Sequence, residues 1–211
     1  MPRKFPDNLT KAELQIFKKL STPIRIQNYL DSLIRNFEPD GDTLMSPRRV
    51  LQARRAHCIE GAMLAAAALW YHGQPPFLLD LKAAAHDLDH VVVPFMQNGR
   101  WGAISKTNHA VLRWREPVYR DIRELVMSYF HEYFDDNGHK TLRSYSQPFD
   151  LRRLTRPDWM TAEDDLWDVG YELDESRHTP IVEKSLIRKF RRADPIEIQA
   201  GKLVQYKPPR K

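Results

Sequence analysis

One cysteine, Cys58, stands alone among 211 residues. A lone thiol excludes an internal disulfide framework and a cysteine-rich zinc site, and it fits a reducing compartment. Long apolar runs are missing as well. The longest candidate, "AMLAAAALWY" at 62–71, is about half the roughly 18–20 residues that a membrane span needs. The opening "MPRKFPDNLT" has basic residues but no apolar stretch behind them, so no secretory signal is read there. Helix-turn-helix spacing, an RNP motif and basic patches interleaved with aromatics are absent too, which argues against base reading. These gaps together predict a cytoplasmic protein that neither enters a membrane nor takes nucleic acid as its partner.

The net charge of +5 is unevenly placed. Residues 183–211 hold nine Lys/Arg against three Asp/Glu, whereas the other 182 residues hold 24 basic against 25 acidic. The basic character therefore belongs to the tail, which reads as a solvated segment.

Apolar spacing in 11–37 predicts two helical pieces hinged at "STP", with "EPDGD" as a turn. "SPRRVLQ" opens a short helix with Ser46 as its N-cap and Pro47 in the first turn. A long apolar helix over 58–72 stops at Gly73. "FLLDLKA", "DHVVVPF" and "RWGAIS" then read as strands, and Asn98-Gly99 joins the last two as a two-residue hairpin. A further helix follows in "YRDIRELVMSYFHEYF". Residues 1–150 are thus expected to form an α+β domain, an antiparallel sheet on a central Cys-led helix. Residues 151–211, with alternating charge blocks, read as an extended and partly irregular C-terminal arm.

The hairpin fixes a register. With Asn98-Gly99 as the loop, Val92 faces Ser105, Pro94 faces Ala103 and His90 faces Thr107. His90, Ser105 and Thr107 then share one sheet face. Pro94 falls at a non-hydrogen-bonded pair, where its missing N–H is not needed. Asn108 falls on the opposite face unless a bulge intervenes.

Cys58 begins the apolar helix, where the dipole and free N–H groups favour a thiolate. A cysteine nucleophile needs a base, usually histidine, oriented by a third polar group. His90 lies 32 residues on, at the start of a strand. "HCIEGAMLAAAALWYHGQPP", "DHVVVPF" and "RWGAIS" in this order resemble the transglutaminase-like fold, over roughly residues 45–108. The resemblance implies a papain-like triad for acyl transfer, with Cys58 as nucleophile and His90 as its histidine. The family's aspartate, four residues after the tryptophan, is here Ser105, followed by Lys106-Thr107 in place of Pro-Thr. Ser105 has no charge with which to stabilise an imidazolium, but it can fix the ring tautomer, as Asn108 can across a bulge.

The expected activity is attack on an amide or ester carbonyl of a peptide or protein, with no cofactor and no metal. Two other readings stand beside it. One is an inactive transglutaminase-like scaffold that binds a peptide or protein. The other is a metal-dependent hydrolase using "HDLDH", residues 86–90, whose residue types suit zinc, iron or manganese. A polar turn leading into the strand is the simpler account of that segment.

Overall fold

Thr10, Thr22 and Ser46 each start a helix by accepting a hydrogen bond on the side-chain oxygen, from the N–H of Glu13, Arg25 and Arg49 respectively. The helices are α1 (Lys11–Lys19), α2 (Pro23–Ser32) and α3 (Pro47–Ala53). They belong to a computed structural model that describes residues 4–39 and 41–208. The break between α1 and α2 falls at the expected hinge. A two-residue strand β1 (Ile34–Arg35) pairs in parallel with β2 (Arg55–Ala56), which carries the 36–45 loop alongside the next helix.

That helix, α4 (Cys58–Tyr71), is the centre of the molecule, with every residue from Glu60 to Leu69 buried. It stops before Gly73, whose φ of +87° suits glycine. Fully burying a leucine- or methionine-sized side chain contributes about 1.5–3 kcal/mol, so Met63, Leu64 and Leu69 make this helix a principal stabiliser. Gly61 permits its closest approach: a Cβ there would lie 2.6 Å from Lys106 Cβ.

The sheet follows: β3 (Phe77–Lys82), β4 (His90–Gln97), β5 (Arg100–Ser105) and β6 (Arg115–Tyr119). After β6 come α5 (Ile122–Met127), β7 (Ser144–Ser146), β8 (Phe149–Asp150), α6 (Trp167–Asp174), β9 (His178–Pro180), α7 (Lys184–Ile187) and α8 (Pro195–Gly201). Among the described residues seven strands make one antiparallel sheet in the order β6-β5-β4-β3-β7-β9, with β8 also on β3. The class is α+β. The β4–β5 register matches the hairpin argument, with Val92 opposite Ser105, Pro94 opposite Ala103 and Gln97 opposite Arg100. Asn98 and Gly99 both have positive φ, 51° and 70°, the geometry of a type I′ turn.

Both faces of this sheet are covered, which was not expected. Val91, Val93, Phe95 and Ile104 pack with α4 on one side. Val92, Ala103, Leu79 and Leu81 pack with Leu125, Val126 and Tyr129 on the other. A strand buried on two faces has no polar alternation, hence the unbroken "VVVPF" of β4.

Residues 151–173 are more than an arm. Leu151, Trp159, Leu166, Val169 and Leu173 belong to the α4 core, and Ser46 Oγ donates to Ala162 O at 2.7 Å. Beyond them β9 joins the sheet. Among the described residues no helix is long and apolar enough to cross a membrane.

Candidate functional site

Cys58 is the first residue of α4 and half-buried. Its N–H, in the first helical turn, has no acceptor within the helix. His57 and His90 line the same cleft as its thiol and are its two charge partners. Burial alone would raise the thiol, but the two rings outweigh it and hold Cys58 well below the usual thiol range. Cys58 and His90, paired in the sequence argument, both line this cleft. His57, adjacent in sequence, is a partner that the spacing argument passed over. A histidine standing where helices favour Ser, Thr, Asp or Asn was the available signal.

His90 is buried, and its Nε2 lies 2.8 Å from Ser105 Oγ. Ser105 Oγ in turn donates to Leu112 O at 2.6 Å. A hydroxyl has one proton, so Ser105 accepts from His90. The ring proton thus sits on Nε2, and Nδ1 is left as the ring's acceptor. Ser105 is itself held by Gln27, which accepts from the Ser105 N–H and donates to its carbonyl, both at 2.9 Å.

Those bonds also end the strand. The ladder stops at Val92–Ser105, so His90 does not pair with Thr107 as expected, and its strand neighbour is Leu81 on β3. Lys106 turns inward instead and donates to Leu30 O and Leu33 O at the end of α2. Burial lowers its ammonium to about 8.

Asn108 lies away from the histidine. Its side chain donates to Tyr206 O and accepts from Tyr206 N, both at 2.9 Å. It fastens the C-terminal segment to the 106–112 loop, along with Gln205 N to Asn108 O and Ala110 N to Leu203 O. No bulge brings it to His90, because the strand has already ended.

Glu60 is wholly buried and organises the wall beside His57. It accepts from Thr43 Oγ1 at 2.8 Å, His57 N at 2.9 Å, Met45 N at 3.0 Å and Asn36 Nδ2 at 3.2 Å. These donors tie the 36–45 loop to the first turn of α4. On the other side, the Tyr133 hydroxyl meets Leu88 O at 2.6 Å and steadies the turn before His90.

"HDLDH" forms a turn whose polar groups diverge. His86 faces Asp135 at 3.5 Å, Asp87 accepts from Thr141 Oγ1, Asp89 accepts from Ala83 N at 2.6 Å, and His90 turns to Ser105. The acidic groups that do gather are Asp80, Asp89 and Asp174, with one oxygen from each within 4.8 Å of the others. Among the described residues that trio is the group able to hold a cation, although Lys82 is ion-paired with Asp174 and His178 with Asp80.

A cleft of about 960 Å³ opens over Cys58, His57 and His90, bounded by the 35–44 loop, the 86–90 turn, the 106–112 loop and α8. Leu88 and Trp167 are exposed at its edge. No family model matches the chain, and no curated protein matches it.

Proposed function

We propose that this chain is a cytoplasmic, transglutaminase-like cysteine enzyme that acts on amide or ester carbonyls through an acyl-enzyme. The observation carrying this reading is Cys58 at the head of α4, in one cleft with His57 and His90, which together hold its thiol low. The thiolate adds to the carbonyl carbon, and the C–S bond forms as the C–N or C–O bond breaks. The leaving amine or alcohol departs with the proton that Cys58 gave to the histidine pair. Water or an acceptor amine then adds to the thioester and passes a proton to Nδ1 of His90. The C–S bond breaks, releasing acid or amide and restoring the thiolate. The Cys58 N–H, free of any helical acceptor, is one donor for the oxyanion. The open cleft with Leu88 and Trp167 at its edge suits a peptide or protein side chain. None of these steps uses a cofactor or a metal.

A second reading, a transglutaminase-like scaffold that binds a peptide or protein without turnover, is favoured by Ser105, which brings no charge to His90. Incubation with an activated aryl ester separates the two. An enzyme accumulates a thioester on Cys58, seen by intact-mass spectrometry, and His90→Ala prolongs its life. Absence of the adduct, together with native-state alkylation no faster than that of the unfolded chain, would remove the enzymatic reading.

A further inference from the structure

Two histidines share a cleft with one thiol, and among the described residues only one of them has carboxylates behind it. His57 Nε2 lies 2.9 Å from Thr43 O, 3.5 Å from Glu60 Oε1 and 3.6 Å from Glu38 Oε1. A carbonyl oxygen only accepts, so Nε2 carries a proton. His90 has a neutral hydroxyl behind it, and that hydroxyl's own proton is committed to Leu112 O.

We propose that His57, rather than His90, is the imidazolium that holds the Cys58 thiolate, with Glu60 as its positioning residue, so that the Nδ1 lone pair of His90 is free to take the proton of the attacking water or amine. The assignment rests on the reading of Cys58 as a nucleophile. It accounts for the serine at the position where the family has its aspartate. In a papain-like triad the acid orients the histidine and stabilises its positive charge. Here orientation comes to His90 from Ser105, and charge stabilisation goes to the other ring, from Glu60 and Glu38.

Geometry and electrostatics agree. Glu60 is wholly buried and held by Thr43, Met45 and the His57 N–H, so it cannot swing away from the ring. The ionisable groups around the thiol are His57, Glu60 and Glu38 on the helix and loop side, with His90 and Tyr133 on the sheet side. Burial alone would lower the His57 imidazolium; the Cys58 thiolate, Glu60 and the Thr43 carbonyl outweigh it and raise it to about 9.

The test is the pH profile of iodoacetamide alkylation of Cys58 in the full chain, for the wild type, His57→Gln and His90→Gln. In the wild type the rate should follow a thiol titrating well below the free value of about 8.5. His57→Gln should move the profile upward and cut the rate at mildly acidic pH by at least about tenfold, one pKa unit, while His90→Gln moves it by less. The reverse pattern overturns the assignment to His57 and leaves Cys58 as a nucleophile. A wild-type profile matching the unfolded chain removes both. Imidazole ¹⁵N spectra of the wild type at neutral pH serve if His57→Gln does not fold. A doubly protonated His57 ring beside a singly protonated His90 ring supports the assignment, and the opposite pair of states overturns it.

Discussion

The hydrogen bond between His90 and Ser105 runs in one direction only. Ser105 Oγ is 2.8 Å from His90 Nε2 and 2.6 Å from Leu112 O, and the carbonyl claims the hydroxyl proton. Leu112 has a φ of +59°, a region that bulky side chains avoid at a cost of about 1–3 kcal/mol. The conformation is held from both sides, since the Leu112 N–H donates to Glu132 Oε2 at 2.9 Å and that same oxygen is 2.7 Å from Arg115 Nη2. A strained loop thus presents the carbonyl that makes Ser105 an acceptor.

Ser105→Ala should therefore leave a ring N–H and a strained carbonyl without partners. The expected loss is about 1–3 kcal/mol in urea denaturation, together with slower loss of the thioester formed from an activated ester. Ser105→Asp tests the direction of the bond. A carboxylate facing the Leu112 carbonyl sets acceptor against acceptor, so an aspartate here should lower stability. A variant as stable as the wild type would show that Leu112 does not fix the serine proton.

Gly61→Ala probes the contact that brings β5 against α4. Its Cβ would lie 2.6 Å from Lys106 Cβ and 2.9 Å from Lys106 Cγ, and Lys106 is pinned by the carbonyls of Leu30 and Leu33. Helix propensity favours alanine by about 1 kcal/mol, but overpacking a tight site costs about 1–3 kcal/mol. With backbone-bound Lys106 unable to retreat, the clash should win. A lowered urea midpoint is expected, and a raised one would mean that Lys106 moves freely.

How much of this could be read beforehand depends on how local each signal is. The β4–β5 register was legible because Asn98-Gly99 fixes the turn and each later pair follows by counting. Ser46 was legible as an N-cap for the same reason. That Cys58 and His90 line one cleft was legible from motif order. His57 was not legible as a partner, because its case depends on Glu60, Glu38 and Thr43, which a folded loop brings round it. The role of Ser105 as an acceptor depends on Leu112, seven residues on and in a conformation its residue type does not suggest. Leu151, Trp159 and Leu166 join the core from short turns and loops, where no period exists to be counted.

Asn108→Ala should free the C-terminal segment. Both bonds of the amide go to the Tyr206 backbone, while the Tyr206 hydroxyl is 3.1 Å from Asp31 O. Loss of the buried amide should cost about 1–2 kcal/mol and speed proteolysis beyond residue 201. Because Asn108 does not touch His90, alkylation of Cys58 should stay within a few-fold of wild type. A large fall in alkylation would mean that the segment shapes the thiol's surroundings.

Asp80 offers a pH-dependent test. It is buried on β3, with Oδ2 3.0 Å from His178 Nε2, and its Oδ1 has no partner among the described residues. Burial, opposed by His178 and reinforced by Asp89, raises its carboxyl from 3.8 to about 6. The folded state therefore binds more protons than the unfolded one between about pH 4 and 6, and by linkage this group's contribution is fully present below that window and lost as pH rises through it. Lowered carboxyls such as Asp135 and Asp150 act in the opposite sense, so the readout is a difference between two proteins. Asp80→Asn keeps a polar partner for His178 without the titrating proton. Its stability relative to wild type, from urea denaturation at a series of pH values, should rise by roughly 1–3 kcal/mol from about pH 4 to 7. A pH-independent difference would mean that Asp80 titrates as it does in the unfolded chain.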